Sequence, residues 1–166
     1  MFELKKLSPG SIPEALIKVE RYRLLNEPRE AESICRDILE IEPDNQQALI
    51  WLLLSLTDQI GPGSVSVADQ ARQLIPRLKN EYERAYYAGI ISERRGKAQL
   101  AAAGPRSGYN AYGWLNEAMG FYEKAEAIRP EGNDEAILRW NTCARMVMKH
   151  PEIRPEPEGA SEIMLE

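Results

Sequence analysis

Between Ile12 and Leu25 the large apolar residues Leu16, Ile17, Val19, Tyr22, Leu24 and Leu25 recur at intervals of three and four, the period of a helix with one buried face. Asn26 tolerates the left-handed conformation of a helix terminus and closes this segment. Pro28 opens the next one, because the first turn does not miss its N–H. The second helix, about Pro28 to Ile41, carries Ala31, Ile34, Cys35, Ile38 and Leu39 on one side and stops before Pro43, so residues 12 to 43 read as a helical hairpin. A cap at Asp44 or Asn45 starts a third helix running to about Ile60, "GPGS" breaks it, and a fourth runs from about Val67 to Lys79. The fifth begins near Asn80 with Tyr82, Ala85, Tyr86, Gly89, Ile90 and Ile91 at helical spacing, and the sixth ends at Pro130. The seventh, about Asn133 to Lys149, places Ala136, Ile137, Trp140, Cys143, Ala144 and Val147 in the same register. Seven helices and no convincing strand predict an all-α chain.

Two of these segments share more than a period. In "AESICRDILEIEP" (31–43) and "AMGFYEKAEAIRP" (118–130) a small residue is followed four places on by Cys35 or Tyr122, seven on by Ile38 or Ala125, and twelve on by Pro43 or Pro130. Hairpins of about 34 residues, with Ala or Gly where helices touch and Pro at the closing turn, resemble tetratricopeptide repeats. Tyr22, Ala31 and Pro43 fill the aromatic, small and closing positions of the first unit; Gly89, Ala118, Tyr122, Ala125 and Pro130 do so in the third. The middle unit has Leu49, Leu52, Leu53 and Leu56 but lacks the closing Pro. The resemblance spans about residues 12 to 149 and implies a right-handed stack of antiparallel helical hairpins, an α-solenoid with units at about 12–45, 46–79 and 80–132 and a terminal helix at 133–149.

Ala31 and Ala118 lie 87 residues apart, as do Pro43 and Pro130, whereas two standard repeats would give about 68. Most of the surplus falls in "GKAQLAAAGPRSGYNAYGW" (96–114). "KAQLAAA" favours helix strongly and Gly104-Pro105 is a stop, so helices five and six are expected to lengthen into a projecting hairpin rather than to flank a structureless loop.

In such a stack the first helix of each pair faces a concave surface, which the resemblance implies receives a peptide. The helical phase places Leu16, Ile17 and Glu20 on its first wall, Ile50, Trp51 and Leu54 on the second, Tyr86, Tyr87 and Ile90 on the third, and Ile137, Leu138 and Asn141 on the fourth. This face is apolar and aromatic. Family members that clamp acidic chaperone C-termini use Lys, Arg and Asn there; the corresponding positions here are Leu16, Glu20, Trp51, Glu83 and Tyr87, which disfavours that activity. Trp51 and Tyr87 also suit a core, since a small error of helix phase turns them inward.

Composition narrows the function classes. With 166 residues, 43% hydrophobic and 28% charged, the chain suits one globular domain, and a formal charge of -5 disfavours nucleic acid and anionic membrane as partners. The longest apolar run, "ALIWLLLSL" (48–56), is about half of a spanning helix and reads as a buried one. The opening fifteen residues lack the apolar run of a signal peptide, and Cys35 and Cys143 sit far apart inside helical patterns, so a cytoplasmic protein with reduced cysteines is expected.

Chemical motifs are sparse. His150, the only histidine, falls at the end of the last helix, and the sequence has no GxxxxGK[ST], GxSxG or CxxC. No catalytic residue, metal site or cofactor is expected. "SERRGK" (92–97), the densest basic stretch, reads as an exposed helix surface. After Lys149, the tail 150–166 is rich in Pro and Glu and is expected to be flexible, with Ile163, Met164 and Leu165 as a short docking segment. The expected function is a noncatalytic adaptor that binds a peptide or a second copy of itself, as a homodimer; residues 1–11 or the tail would otherwise fill the groove. The alternative is a helical enzyme or accessory subunit whose site assembles from distant residues.

Overall fold

A computed structural model describes residues 1–158. Among them are seven α-helices and no strand: α1 (Ile12–Leu24), α2 (Pro28–Ile41), α3 (Gln46–Thr57), α4 (Val65–Leu74), α5 (Glu81–Ala102), α6 (Ser107–Ala127) and α7 (Glu135–Lys149). The all-α expectation stands. The boundaries follow local chemistry. Asn26 is left-handed at φ 59°, ending α1, and Pro28 occupies the first turn of α2. Asn45 caps α3 by accepting the Ala48 N–H at 2.9 Å, and Asn80 caps α5 through the Glu83 N–H at 3.0 Å. The fourth helix stops at Leu74, five residues before the expected end, because Pro76 has no N–H to continue the ladder and Ile75–Arg77 tightens into a 3-10 turn.

Between residues 96 and 114 there is no long loop. α5 and α6 have 22 and 21 residues, joined through Ala103, Gly104, Pro105 and Arg106. They run antiparallel, since Gly89 meets Tyr122 while Gly96, two turns later, meets Leu115 and Ala111. Small residues set the spacing: a Cβ on Gly89 would lie 2.5 Å from the Tyr122 ring, and one on Gly96 2.9 Å from Leu115. Ala31 and Ala118 are fully buried, as expected of small residues at helix crossings.

The core forms two apolar clusters. One is built on α1 to α4 around Val19, Cys35, Ile38, Leu49 and Leu53; the other joins α5, α6 and α7 around Ile90, Leu115, Tyr122 and Cys143. Leu54 and Tyr87 pack against both and weld the halves together.

The Pro-rich segment after α7 does not leave the fold at once. Ile153 is 3% exposed within the second cluster, the Glu152 carbonyl sits so close over Gly108 that a Cβ there would meet it at 2.0 Å, and Arg106 pairs with Glu156 at 2.6 Å. Pro and like charge oppose a helix in this stretch, but one apolar side chain and one ion pair anchor it to the hairpin tip. The expected docking segment at Ile163–Leu165 lies outside the described residues. No helix among those described is long and apolar enough to cross a membrane.

Candidate functional site

α1, α3 and α5, the first helices of their pairs, lie side by side. Asp58, at the C-terminal end of α3, accepts from Arg23 Nε of α1 at 2.7 Å and from Arg94 of α5 at 3.3 Å. α7 joins on the far side of α5, where Tyr82 Oη donates to Asn133 Oδ1 at 3.3 Å and Arg139 reaches Glu93 at 3.3 Å.

On this row the twelve residues expected to form a binding face divide by depth. Ile17 and Leu138 stand 53% and 64% exposed, and Glu20 is exposed too. Leu16, Trp51, Leu54, Tyr87, Ile137 and Asn141 are half-buried. Ile50, Tyr86 and Ile90 are core residues at 9% exposure or less, so they support the surface from beneath and do not form it. The physical reason is crowding: α6 packs along α5 with α3 and α4 beside it, which buries Tyr86 and Ile90, and α1, α2, α4 and α5 surround α3, which buries Ile50. Trp51 has one face under the Arg23 guanidinium, 5.4 Å from the ring centroid, and Tyr87 meets Tyr86 edge to face at 5.1 Å. Burial pushes the Tyr87 phenol above its ordinary range, with the Tyr86 and Glu83 side chains adding to the shift, so it stays neutral at physiological pH.

"SERRGK" is not the exposed surface its charge suggested. Ser92 and Glu93 are 1% and 0% exposed, and the segment connects helices on every side of α5. Ser92 donates to Glu117 of α6 at 2.6 Å, Arg94 pairs with Asp58, and the Arg95 guanidinium lies 3.9 Å above the Trp114 ring. Glu93 receives Tyr122 Oη at 2.6 Å together with Lys97 and Arg139. Desolvation pushes its carboxyl up, but the hydrogen bonds from Lys97 and Tyr122 and the two cations outweigh this and hold it below the usual carboxylate range. Tyr122 is driven far upward by burial and by the Glu93 charge. The spacing contained a clue: Gly89 and Gly96 are seven apart, marking a close-packed helix face, and Ser92 and Glu93 lie between them on it.

A second concavity lies on the opposite side of α5, between α4 and α6. This groove of about 830 Å³ is lined by Arg72, Ile75, Ala85, Ala88, Phe121 and Ile128 among others. No local pattern in the sequence marks it, because its lining comes from three helices distant in the chain.

Elsewhere the chemistry is quiet. His150 Nδ1 lies 3.0 Å from Glu152 Oε1 at the surface, and among the described residues no group of His, Cys, Asp and Glu is arranged to hold a metal. Cys35 and Cys143 are buried free thiols, each pushed up to about 12 by desolvation, which keeps them protonated and unreactive. No family model, curated protein or solved structure matches the chain.

Proposed function

We propose that the chain is a noncatalytic, tetratricopeptide-like adaptor that uses the face of α1, α3, α5 and α7 to hold a peptide segment or a second copy of itself. The observation that carries this reading is the half-buried row of Trp51, Leu54 and Tyr87, flanked by the exposed Ile17 and Leu138. Each side chain in the row is wedged from below by core residues and open from above. Rigid aromatic groups in that situation bind at low entropic cost, since they are ordered before a partner arrives. The deeply buried ionisable groups are saturated by partners: Glu93 spends its oxygens on three donors, so it supports architecture better than acid–base chemistry. Two protonated, buried cysteines fit a reducing compartment, the cytoplasm.

Solution mass measured over a concentration series, for the wild type and for Trp51→Ala, tests the self-associating form of the proposal. Mass that rises with concentration in the wild type and not in the variant supports a dimer through this face. A monomeric wild type leaves the peptide-binding form, and binding that survives in both Trp51→Ala and Tyr87→Ala contradicts the proposal.

A further inference from the structure

The row of first helices carries a second feature, along its edge nearer the tip of the α5/α6 hairpin. Four cations there share two carboxylates: Asp58 serves both Arg23 and Arg94, and Glu93 serves both Lys97 and Arg139. In each centre one negative charge is divided between two positive ones, which leaves an excess of positive charge in a chain whose formal net charge is -5. The excess is accessible from outside: Arg94, Lys97 and Arg139 are 37%, 33% and 37% exposed, whereas Glu93 is buried beneath them at 0%. Arg94 lies two turns along α5 from Tyr87, on the same face of the helix, and Arg23 covers Trp51. The cation edge and the aromatic row are therefore one continuous surface. Along α5 the charges segregate, with Glu83 near the N-terminal end and Arg94 and Lys97 in the second half, while on α7 Glu135 lies one turn before Arg139.

We infer that this surface receives an acidic peptide segment containing apolar residues, whose carboxylates meet Arg94, Lys97 and Arg139 while its apolar side chains cover Trp51, Leu54 and Tyr87. The inference rests on the proposed binding role of the same face and specifies its partner. It differs from an acidic-terminus clamp at Leu16, Glu20, Trp51, Glu83 and Tyr87, where cations are absent; the cations here lie farther along the helices. Crossing four helices at about 9 Å per step takes roughly eight residues of extended chain, which fixes the length of a probe. A guanidinium already holding half a carboxylate keeps free N–H groups, and a partner's carboxylate satisfies them with charge-assisted bonds.

Fluorescence anisotropy with two labelled peptides of roughly that length, one alternating Glu and Leu and the other Lys and Leu, tests it. The Glu/Leu peptide is expected to bind, more weakly as salt rises, and the Lys/Leu peptide to bind at least tenfold more weakly or not at all. Arg94→Gln leaves Asp58 paired with Arg23, so the fold is retained, and it is expected to weaken the Glu/Leu peptide about tenfold, with Arg94→Lys recovering part of the loss. Equal binding of both peptides, or no binding of either, overturns the inference. Loss in Trp51→Ala with full retention in Arg94→Gln overturns it as well while leaving the face as the binding site. Retention in both variants overturns the inference and the proposed function together.

Discussion

Around α1 to α4 the core is apolar and its few buried polar groups look after themselves: Ser55 donates to the Trp51 carbonyl at 2.7 Å and Thr57 to the Leu54 carbonyl at 2.8 Å, both within α3. Around α5 to α7 the interior is built on a charge. Glu93 gathers a tyrosine from α6, an arginine from α7 and a lysine from its own helix, and the seam beside it is glycine and alanine. The first half is held by bulk, which tolerates exchange among side chains of similar volume. The second depends on particular partners at particular distances, and removing one strands the others.

The largest expected effect follows from that difference. Glu93→Ala leaves the Tyr122 hydroxyl and two cations without their shared acceptor, and breaking a buried ion pair from one side costs about 3 to 5 kcal/mol. Thermal unfolding should show it as a severe loss, against a much smaller one for Leu53→Met in the first half. pH sharpens the contrast. The Glu93 carboxyl lies below its unfolded value of about 4.3, so its contribution is fully present above that pH and disappears as pH falls through the folded value. Stability between about pH 5 and pH 2 should therefore fall more steeply in the wild type than in Glu93→Gln.

Next in size are the helix crossings. Ala31→Leu in the first half and Ala118→Leu in the second put a large side chain where each Ala is fully buried, at a cost of about 1 to 3 kcal/mol each. Ala118→Leu should be the worse of the two, because the glycine seam beside it has no room to yield; equal losses in unfolding measurements would show that the halves pack alike. The smallest effect is a gain. Ala103 ends α5 in the left-handed region at φ 52°, where a Cβ is unfavourable, so Ala103→Gly should stabilise by up to about 1 kcal/mol.

Legibility in the sequence divides along the same line. Helices α1 to α3 were readable because their signals are local: Asn26, Pro28 and Asn45 mark the ends, and apolar residues at three and four mark the faces. The lengthened hairpin was readable from the offset of Ala31 and Ala118. What stayed hidden depends on residues distant in the chain. "SERRGK" becomes an interior polar junction only because Tyr122 and Arg139 come from 29 and 46 residues away. Tyr86 and Ile90 sink below the candidate face because α3, α4 and α6 crowd α5, and Ile50 because α1, α2, α4 and α5 crowd α3, which no single helical wheel contains. Ile153 was masked by its neighbours, since prolines and glutamates dominate its stretch and a single apolar anchor leaves no periodic trace.

Whether the half-buried aromatic row binds or merely packs is decided most directly at Trp51. Thermal unfolding of Trp51→Ala, measured beside its association as dimer mass or as Glu/Leu peptide affinity, separates the two roles. A contact residue predicts near-normal unfolding and an association loss of about 2 kcal/mol or more, with Tyr87→Ala behaving in the same direction. A loss of about 3 to 5 kcal/mol in folding, with association unchanged in whatever protein remains folded, would contradict the account and make Trp51 a part of the core.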